Sequence, residues 1–439
     1  MKLLIISEYI APVQAIASIR WTKIAKYLKR AHEEISITVL SNEKNYDNPE
    51  GLLPLCRKDS LLERDFSIFD AYWTFSPDKA LIRYYSLKKR IYGTTEAINQ
   101  TNDMSYRSTW KNRLRQDVRN LLNDYKNSLL ASAAWKFFEK ENQTFDAVVS
   151  SYGPAWTHLV AEKIKNKYPQ TVWLADFRDP YAKETDGPFT YFWHRKFTVR
   201  HCIQANYLTE VGQTDVFAPL GKTPVVITNG YDPQEKLTPL VPTEFNLVFT
   251  GTLYGSSRNL GVIFRVLRDL EIEKQIETEK VFVDYAGSDG DIARKFAEKY
   301  EAEHFLRDHG VIPRKQAIEL QQQAALLIQL NWNTKKLKCT WSGKMYEYMM
   351  IKKPIVFIVT GDEPYSFPSK NIDKLGGICY EECRDIQTYP LLKKYILEKY
   401  QEWRDTGDIT ICYDEQYVEQ YSYSNIADKV YRLISTNEK

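Results

Sequence analysis

The 439-residue sequence has few cysteines and almost no net charge. Its six cysteines form no CxxC pair, and scattered thiols in a chain of this length are not typical of a disulfide framework or a zinc site. The formal net charge is only +3, which gives no global reason to expect a nucleic-acid partner. These absences argue against a disulfide-rich secreted domain and against a strongly basic nucleic-acid binder.

Long apolar runs are also absent. No run approaches the roughly 20 residues that a membrane-spanning helix requires. The N-terminal stretch has only a short apolar run and lacks the small-residue cleavage site of a secretory signal peptide. We therefore expect a cytoplasmic protein, one that could still contact the inner face of a membrane.

Two common nucleotide-binding fingerprints are missing. The loop at 8–17, after the first predicted strand, contains no glycine, so the GxGxxG motif of NAD and FAD enzymes is absent. Gly343 and Lys344 are followed by Met345, so there is no Walker A motif for a P-loop kinase or ATPase. No Asp-x-Asp lies in a setting that suggests a metal clamp. We expect neither a cofactor nor a metal.

The sequence does contain short β-branched runs that alternate with helical patterns, which is typical of βαβ units and parallel sheets. The series starts again after residue 242, so we predict two α/β domains, at 1–235 and 236–414, and a helical segment at 415–439. Residues 78–140 interrupt the alternation. They look helical, carry an excess of Lys and Arg with interleaved aromatics, and are predicted to be an insertion in the first domain. The predicted strands are 2–7, 34–40, 146–151, 172–176, 205–209, 225–228, 246–250, 281–286, 326–330 and 354–359.

Charged residues follow the predicted strand at 172–176. Asp176, Arg178 and Asp179 come where this apolar run ends, and the carboxyl ends of strands are where α/β proteins place reacting groups. We predict that these three residues are catalytic. The alternative is an Asp–Arg ion pair that only ties the loop.

A glycine-containing loop opens the second domain at 249–258. Gly251 and Thr252 lie in the segment where the chain can turn tightly and bring its amides close to an anion. Arg258 could supply a fixed positive charge for a diphosphate. The alternative is a flexible surface loop with a solvated arginine.

A predicted helix begins near residue 342. Ser342 is a favourable N-cap residue, and Gly343 leaves room for a ligand at the start of the helix. Lys344 and Glu347 are three residues apart and share one helix face, where they could meet a phosphate and ribose hydroxyls. The alternative is an ordinary capped helix with a solvated charge pair.

Five segments in this order resemble the family-4-type retaining glycosyltransferases of the GT-B fold, and more narrowly those of bacterial surface polysaccharide synthesis. The segments are APVQAIASIRWTKIAKYLK, ADFRDPY, TNGYD, FTGTLY and SGKMYEYMMIKKPIV. The resemblance implies two Rossmann-like domains whose parallel sheets face each other across a cleft. It also implies a nucleotide-sugar donor bound as substrate in the C-terminal domain, and a glycan or lipid-linked glycan acceptor on the N-terminal side.

Carried over by position, the resemblance assigns ribose binding to Glu347 and diphosphate binding to Arg258 and Lys344, without a metal. The sequence departs from the family in two places. Cys339 stands where the family often has a first glutamate, eight residues before Glu347, and the loop at 8–17 lacks the usual glycines.

Two other functions stay open at this point. A nucleotide-sugar 2-epimerase also uses the GT-B fold, and Cys339 is compatible with a non-catalytic module that binds a glycan or a partner enzyme. The basic, aromatic segment favours a transferase with a large acceptor. We predict that this segment contacts an anionic membrane surface through Lys88, Lys89 and Arg90. The alternative is a solvated helical segment whose aromatics pack on the first domain.

Overall fold

The computed structural model describes residues 1–48, 50–92, 110–178, 182, 186–212, 221–235, 237–255, 257–335 and 338–435. The chain divides into two compact units. Unit 1 comprises Met1–Gly230 and Tyr423–Lys439, and unit 2 comprises Tyr231–Ser422.

Unit 1 contains a parallel sheet in the order β3-β2-β1-β4-β5-β6-β7. Its strands are β1 Lys2–Ile6, β2 Ser36–Asn42, β3 Ala71–Phe75, β4 Ala147–Ser151, β5 Val172–Phe177, β6 Tyr207–Glu210 and β7 Val225–Val226. Its helices are α1 Ile16–Ala31, α2 Ser60–Arg64, α3 Asp78–Tyr92, α4 Trp110–Glu141, α5 Trp156–Lys167, α6 Pro188–Cys202 and, from the end of the chain, α14 Tyr423–Ser435.

Helices cover both faces of this sheet, which explains why its central strands are continuously apolar. Leu3 and Ile5 of β1 pack with α1 and α14, while Leu4 and Ile6 point to the opposite face and pack with α4 and α5. The side chains of one strand thus alternate between two cores.

Unit 2 contains a second parallel sheet, in the order β10-β9-β8-β11-β12-β13. Its strands are β8 Phe245–Thr250, β9 Val281–Ala286, β10 Leu306–Asp308, β11 Leu326–Trp332, β12 Ile355–Thr360 and β13 Ile378–Glu381. Its helices are α7 Gly261–Ile272, α8 Gly290–Glu298, α9 Arg314–Gln322, α10 Gly343–Ile351, α11 Phe367–Asn371, α12 Asp385–Thr406 and α13 Glu415–Glu419.

Both sheets have a topological switch point. In unit 1 the strand order reverses around β1, which lies between β2 and β4, and in unit 2 it reverses around β8, which lies between β9 and β11. Open α/β sheets bind ligands outside the carboxyl ends of the strands at such points. The architecture therefore directs attention to the loops that follow β1, β8 and their neighbours.

The division into units differs from the predicted one in two places. The first unit ends at Gly230 rather than at 235, and residues 415–439 do not form a separate segment. Instead, α13 belongs to unit 2, whereas α14 packs with α1 through the buried Tyr423, Ile426 and Val430. This apolar stripe explains why the chain returns to the first unit.

The predicted insertion at 78–140 is only partly separate from the sheet. Helices α3 and α4 connect β3 to β4, and residues 93–109 between them lie outside the described part of the chain. Leu130, Ala134 and Phe138 of α4 are buried in the core beneath the sheet. The second half of α4 is therefore a crossover helix of unit 1. Among the described residues, no helix is both long and apolar enough to cross a membrane.

Candidate functional site

The N-terminus of α10 opens beside the switch point of unit 2. Ser342 has the extended backbone of an N-cap residue, but its side chain does not cap the helix, and its buried hydroxyl has no hydrogen-bond partner. A Cβ added to Gly343 would meet no atom within 4 Å. The start of α10 is therefore open at Gly343, and the positive end of the helix dipole favours an anion there.

Lys344 points from the first turn of α10 to the end of β8. Its ammonium lies so close to Gly251 that a Cβ at this glycine would come within 2.5 Å of Nζ. Gly251 also has a φ of +136°, a conformation that L side chains rarely adopt. The glycine is thus needed both for the turn and for the approach of the lysine. Within the described residues, Lys344 has no carboxylate at ion-pair distance.

Arg258 reaches the same corner from the loop after β8. Its guanidinium stacks over the rings of Tyr254, at 4.6 Å, and Trp332, at 5.3 Å, and its Nη1 donates to the carbonyl of Thr252 at 3.1 Å. Its Nε is buried and has no partner. Thr252 therefore contributes to the site through its backbone, by orienting Arg258.

The two cations interact with each other. Burial lowers the pKa of Lys344. The negative charge of Glu347 opposes this decrease, and the positive charge of Arg258 adds to it. Burial also lowers the pKa of Arg258. Two positive charges held together in a partly buried position repel each other, and a bound anion relieves that cost. The arrangement is suited to a phosphate or diphosphate.

The loop after β8 is tied to its neighbours. The hydroxyl of Tyr285 donates to the carbonyl of Gly251 at 3.0 Å and accepts from the amide of Asp289 at 2.9 Å. The carboxylate of Asp289 in turn accepts from the amide of Leu253 at 2.7 Å. The turn that holds Arg258 is therefore fixed by β9 and the loop that follows it.

Glu347 has a partner that the sequence pattern did not indicate. Its Oε1 accepts from Nη2 of Arg314 at 3.1 Å, and both side chains remain partly exposed. Arg314 is the first residue of α9, 33 positions away, so helix periodicity could not have identified it. The contact orients the Glu347 carboxylate beside the open start of α10.

Cys339 is buried in the loop between β11 and α10. Burial raises the pKa of its thiol, so the side chain of Cys339 is neutral. The loop is held by Asn333, whose side-chain oxygen accepts from the amide of Cys339 at 2.9 Å, and by Asn331, which donates to the carbonyl of Thr340. Cys339 occupies the position where the resemblance implies a glutamate. The site therefore has one carboxylate fewer than the resemblance implies.

Asp176 lies fully buried at the end of β5 and is surrounded by donors. Arg20 contacts both carboxylate oxygens, at 3.1 Å and 2.8 Å, and Trp21 and Thr209 donate at 2.7 Å and 2.8 Å. Burial alone would raise the pKa of Asp176, but the charge of Arg20 and the hydrogen bonds from Arg20, Thr209 and Trp21 hold it below its usual value. We therefore interpret Asp176 as a positioning residue.

Asp176 is thus paired with an arginine, Arg20 of α1, which lies far from it in the sequence. Arg178 follows β5 and lies against Gly153, where an added Cβ would come within 2.8 Å of Nη2. Gly153 has a φ of +104° and follows β4. Asp179, the third predicted catalytic residue, lies outside the described residues.

A half-buried charge pair at the switch point of unit 1 was not predicted. Glu8, two residues after the end of β1, accepts from Nζ of Lys44 at 3.2 Å and from Nε1 of Trp156 at 2.7 Å. Burial lowers the pKa of Lys44, an effect that Glu8 opposes. Arg178, directly after β5, lies at the same carboxyl edge of the parallel sheet. Only the position of Glu8 after the first strand could have indicated this site.

The basic residues predicted to contact a membrane lie in the last two turns of α3. Lys89 and Arg90 are exposed and Lys88 is half-buried. In the described part of the chain, no group of three or more His, Cys, Asp or Glu side chains is arranged to hold a metal ion.

Comparison with protein families and with curated proteins finds no match.

Comparison with solved structures does find proteins of similar fold. The apo lipopolysaccharide outer core galactosyltransferase WaaB aligns over 99% of each chain, with 9% identity and a TM-score of 0.54. Sucrose-phosphate synthase from Thermosynechococcus elongatus covers 99% of this chain and 98% of its own, with 10% identity and a TM-score of 0.56. The chain has the GT-B fold. TarM agrees, at 11% identity, 99% coverage of each chain and a TM-score of 0.55. The coverages and TM-scores of these matches establish the fold. Because the sequence identities are low, the activity has to be argued from the residues of the site.

Proposed function

We propose that this chain is a cytoplasmic glycosyltransferase. It would move a sugar from a nucleotide-sugar donor to a glycan or lipid-linked glycan in cell-surface polysaccharide synthesis. The transfer would retain the anomeric configuration of the sugar and would need no metal ion. The observation that carries the proposal is the group formed by Arg258, Lys344 and the uncapped start of α10 beside Gly251. A structural neighbour that is a galactosyltransferase supports the proposal, but it shares only the fold with this chain.

The chemistry follows from the charges in this group. When the bond between sugar and nucleotide breaks, negative charge grows on the departing diphosphate. Lys344, Arg258 and the amides of α10 would stabilise that charge more strongly than the charge of the intact donor, which is the requirement for catalysis. Fixed cations would take the place that a metal ion has in other transferases, and Glu347 would accept hydrogen bonds from the ribose.

The acceptor is assigned to unit 1. Glu8, Tyr9 and Arg178 lie at the carboxyl ends of its strands, where ligands of α/β sheets bind. A TarM variant with the same fold, at 12% identity, 99% coverage of this chain, 100% coverage of that chain and a TM-score of 0.50, was solved with UDP and alpha-GlcNAc-glycerol. That complex supports a nucleotide and a glycan-like acceptor as the classes of ligand to test.

The proposal is tested by donor turnover. The purified chain is incubated with UDP-, GDP-, ADP- and CMP-sugars, and release of the free nucleotide is measured with and without excess EDTA. We expect one base to support release and most of the rate to persist in EDTA, because Arg258 and Lys344 already supply the positive charge. Failure of every donor, with no shift in melting temperature at millimolar concentration, would contradict the transferase assignment. Loss of activity in EDTA with rescue by Mn²⁺ would contradict only the metal-free mechanism.

Glu347→Ala should weaken nucleotide binding. We expect the Kd of the preferred nucleoside diphosphate to rise about tenfold or more, because a hydrogen bond to a charged group contributes about 1.5–3 kcal/mol. The thermal stabilisation by that nucleotide should fall accordingly. Glu319→Gln on the neighbouring helix is the control and should bind as the wild type does. Equal Kd values for the wild type and Glu347→Ala would show that Glu347 does not contact the ribose.

A further inference from the structure

The first half of α4 lies alongside α6 with both helices running in the same direction. Asp117 of α4 contacts Thr190 of α6, and one to two turns later Asp124 contacts His194. This helix pair, residues 110–125 with 188–200, extends beyond the sheet of unit 1. The side chain of Asn127 accepts from the amide of Trp156 at the start of α5, so residues before it lie past the carboxyl edge. At 1.5 Å per residue, α4 extends about 25 Å past that point.

The interior of the helix pair is polar. Oδ1 of Asp117 accepts from the amide of Thr190 at 2.8 Å and from its hydroxyl at 2.6 Å. Thr190 is 0% exposed and Asp117 only 5%. Asn120 donates to the same hydroxyl at 3.0 Å. These contacts place hydrogen bonds in the seam between the two helices, where a soluble helix pair normally has apolar side chains.

The second part of the seam is an ionic cluster. His194, 6% exposed, contacts Asp186 through Nδ1 at 2.9 Å and Asp124 through Nε2 at 3.2 Å. Burial alone would lower the pKa of His194, but the two carboxylates raise it to about 9. The imidazole is thus charged at neutral pH and holds the helices together. Asp117, Asp124 and Asp186 are the three carboxylates of segments 110–125 and 186–200, and all three take part in the seam.

The outer surface of the helix pair is apolar and basic. On α4 the exposed apolar residues among the described side chains are spaced at 0, 4, 11 and 15 positions, which is one helical stripe. On α6 they are spaced at 0, 2, 3 and 4, so that Tyr191 lies off the stripe formed by the other three. They are Trp110 (71% exposed), Leu114, Leu121, Tyr125, Phe189 (59%), Tyr191, Phe192 (59%) and Trp193. Lys196 lies over the ring of Phe192 at 4.8 Å, and Arg113, Arg115 and Arg119 are exposed on α4.

The described contacts between the two helices are therefore polar, while several aromatic and aliphatic side chains of the pair face outward. Solvation in water does not explain this pattern, because a solvated helix exposes its charges and buries its apolar stripe. The exposed charged side chains of the pair are Lys and Arg, so a partner of this surface is expected to be negatively charged. Aromatic rings flanked by Lys and Arg are the composition of surfaces that settle into the headgroup region of an anionic bilayer.

We propose that the helix pair 110–125/188–200 docks onto an anionic lipid membrane. Phe189, Phe192, Trp193 and Trp110 enter the headgroup region, while Arg113, Arg115, Arg119 and Lys196 meet lipid phosphates. The inference concerns lipid binding and stands apart from sugar transfer. If the proposed function also holds, the carboxyl edge of unit 1 lies near the membrane surface, where a lipid-linked acceptor resides. Residues 110–125 belong to the segment 78–140 that the sequence predicts to contact a membrane, but the proposed contact lies on α4 and α6 and not at Lys88, Lys89 and Arg90.

Vesicle co-sedimentation of the full chain tests the proposal. Vesicles of phosphatidylcholine alone are compared with vesicles that contain phosphatidylglycerol, at low and high salt. We expect sedimentation with the anionic vesicles only, weaker at high salt because of screening. The double variant Phe192→Ser/Trp193→Ser should reduce the partition coefficient about tenfold or more, because two exposed aromatics no longer bury apolar area. Its melting temperature should equal that of the wild type, since both side chains are exposed.

The matched control is Val311→Ser/Ile386→Ser, which removes two exposed apolar residues of unit 2 and should leave binding unchanged. The triple variant Lys88→Glu/Lys89→Glu/Arg90→Glu should reduce binding less than Arg113→Glu/Arg115→Glu/Arg119→Glu. The proposal is overturned if the wild type stays in the supernatant with anionic vesicles at low salt, or if Phe192→Ser/Trp193→Ser sediments as the wild type does. A wild-type oligomer that this variant dissociates, without vesicle binding, would make the surface a contact between copies instead.

Discussion

Lys344→Met is expected to lower kcat/KM for the nucleotide-sugar donor about 100-fold or more, the usual cost of removing one group that stabilises charge in a transition state. Methionine keeps much of the length and apolar character of the side chain but removes the ammonium beside Gly251. The loss should appear in kcat as well as in KM, because charge on the diphosphate is greatest when the sugar leaves. Steady-state kinetics with the preferred donor measure the effect.

Two comparisons make this experiment specific. Lys315→Met removes an exposed lysine from the adjacent helix and should change kcat/KM little. Lys344→Arg keeps the charge but brings a larger, planar head group to Gly251, which the lysine already approaches closely, so it should retain only a part of the activity. A Lys344→Met enzyme with wild-type kcat/KM would remove the lysine from the mechanism and leave the helix N-terminus and Arg258 to carry the charge.

The fold could be predicted because its signal is local. The central strands are apolar on both faces, and β1, β2, β4, β8, β9, β11 and β12 occur within about two residues of the predicted runs. The GT-B architecture predicted from the ordered segments is confirmed. By contrast, β3, β10 and β13 were missed. They are short, and each lies at the edge of its sheet, so their strand character comes from pairing with one neighbour rather than from composition.

The candidate site was less predictable, because its contacts join distant parts of the chain. Lys344 and Glu347 could be placed on one helix face from their spacing, but the contact from Arg314 to Glu347 depends on how α9 and α10 pack. Likewise Glu8 meets Lys44 only because β1 and β2 are neighbours in the sheet. Their roles in binding and catalysis stay predictions, as does that of Arg178.

Arg20 and Asp176 illustrate the same difficulty and give the largest expected effect on stability. They lie 156 residues apart in sequence and are almost completely buried. Arg20 also donates to the carbonyls of Ile227 and Thr228, at 2.7 Å and 2.6 Å, just before the chain leaves unit 1 at Gly230. The pair therefore fixes α1, the end of β5 and the exit segment together.

Asp176→Asn should lower the free energy of unfolding of unit 1 by about 3–5 kcal/mol, because it leaves the Arg20 guanidinium buried without its counter-charge. In a unit of this size the melting temperature should fall by about 6 °C or more. Glu63→Gln, which breaks the exposed contact with Lys58, is the control and should leave the melting temperature almost unchanged. The double variant Arg20→Met/Asp176→Leu should recover part of the loss, since it removes both charges. Single variants that melt at the wild-type temperature would show that the pair is not structural.

The pH dependence of the same variants gives an independent test. The pKa of Asp176 is lower in the folded chain than in the unfolded chain, so its contribution to stability is fully present above the unfolded value of about 3.9. It is lost as the pH falls from there through the folded pKa. Urea unfolding at pH 7 and pH 5 should therefore show the same difference between wild type and Asp176→Asn, and the difference should narrow below about pH 4. A difference that stays constant down to pH 3 would mean that the carboxylate is not the source of the stabilisation, and that the amide disturbs the hydrogen bonds from Trp21 and Thr209 instead.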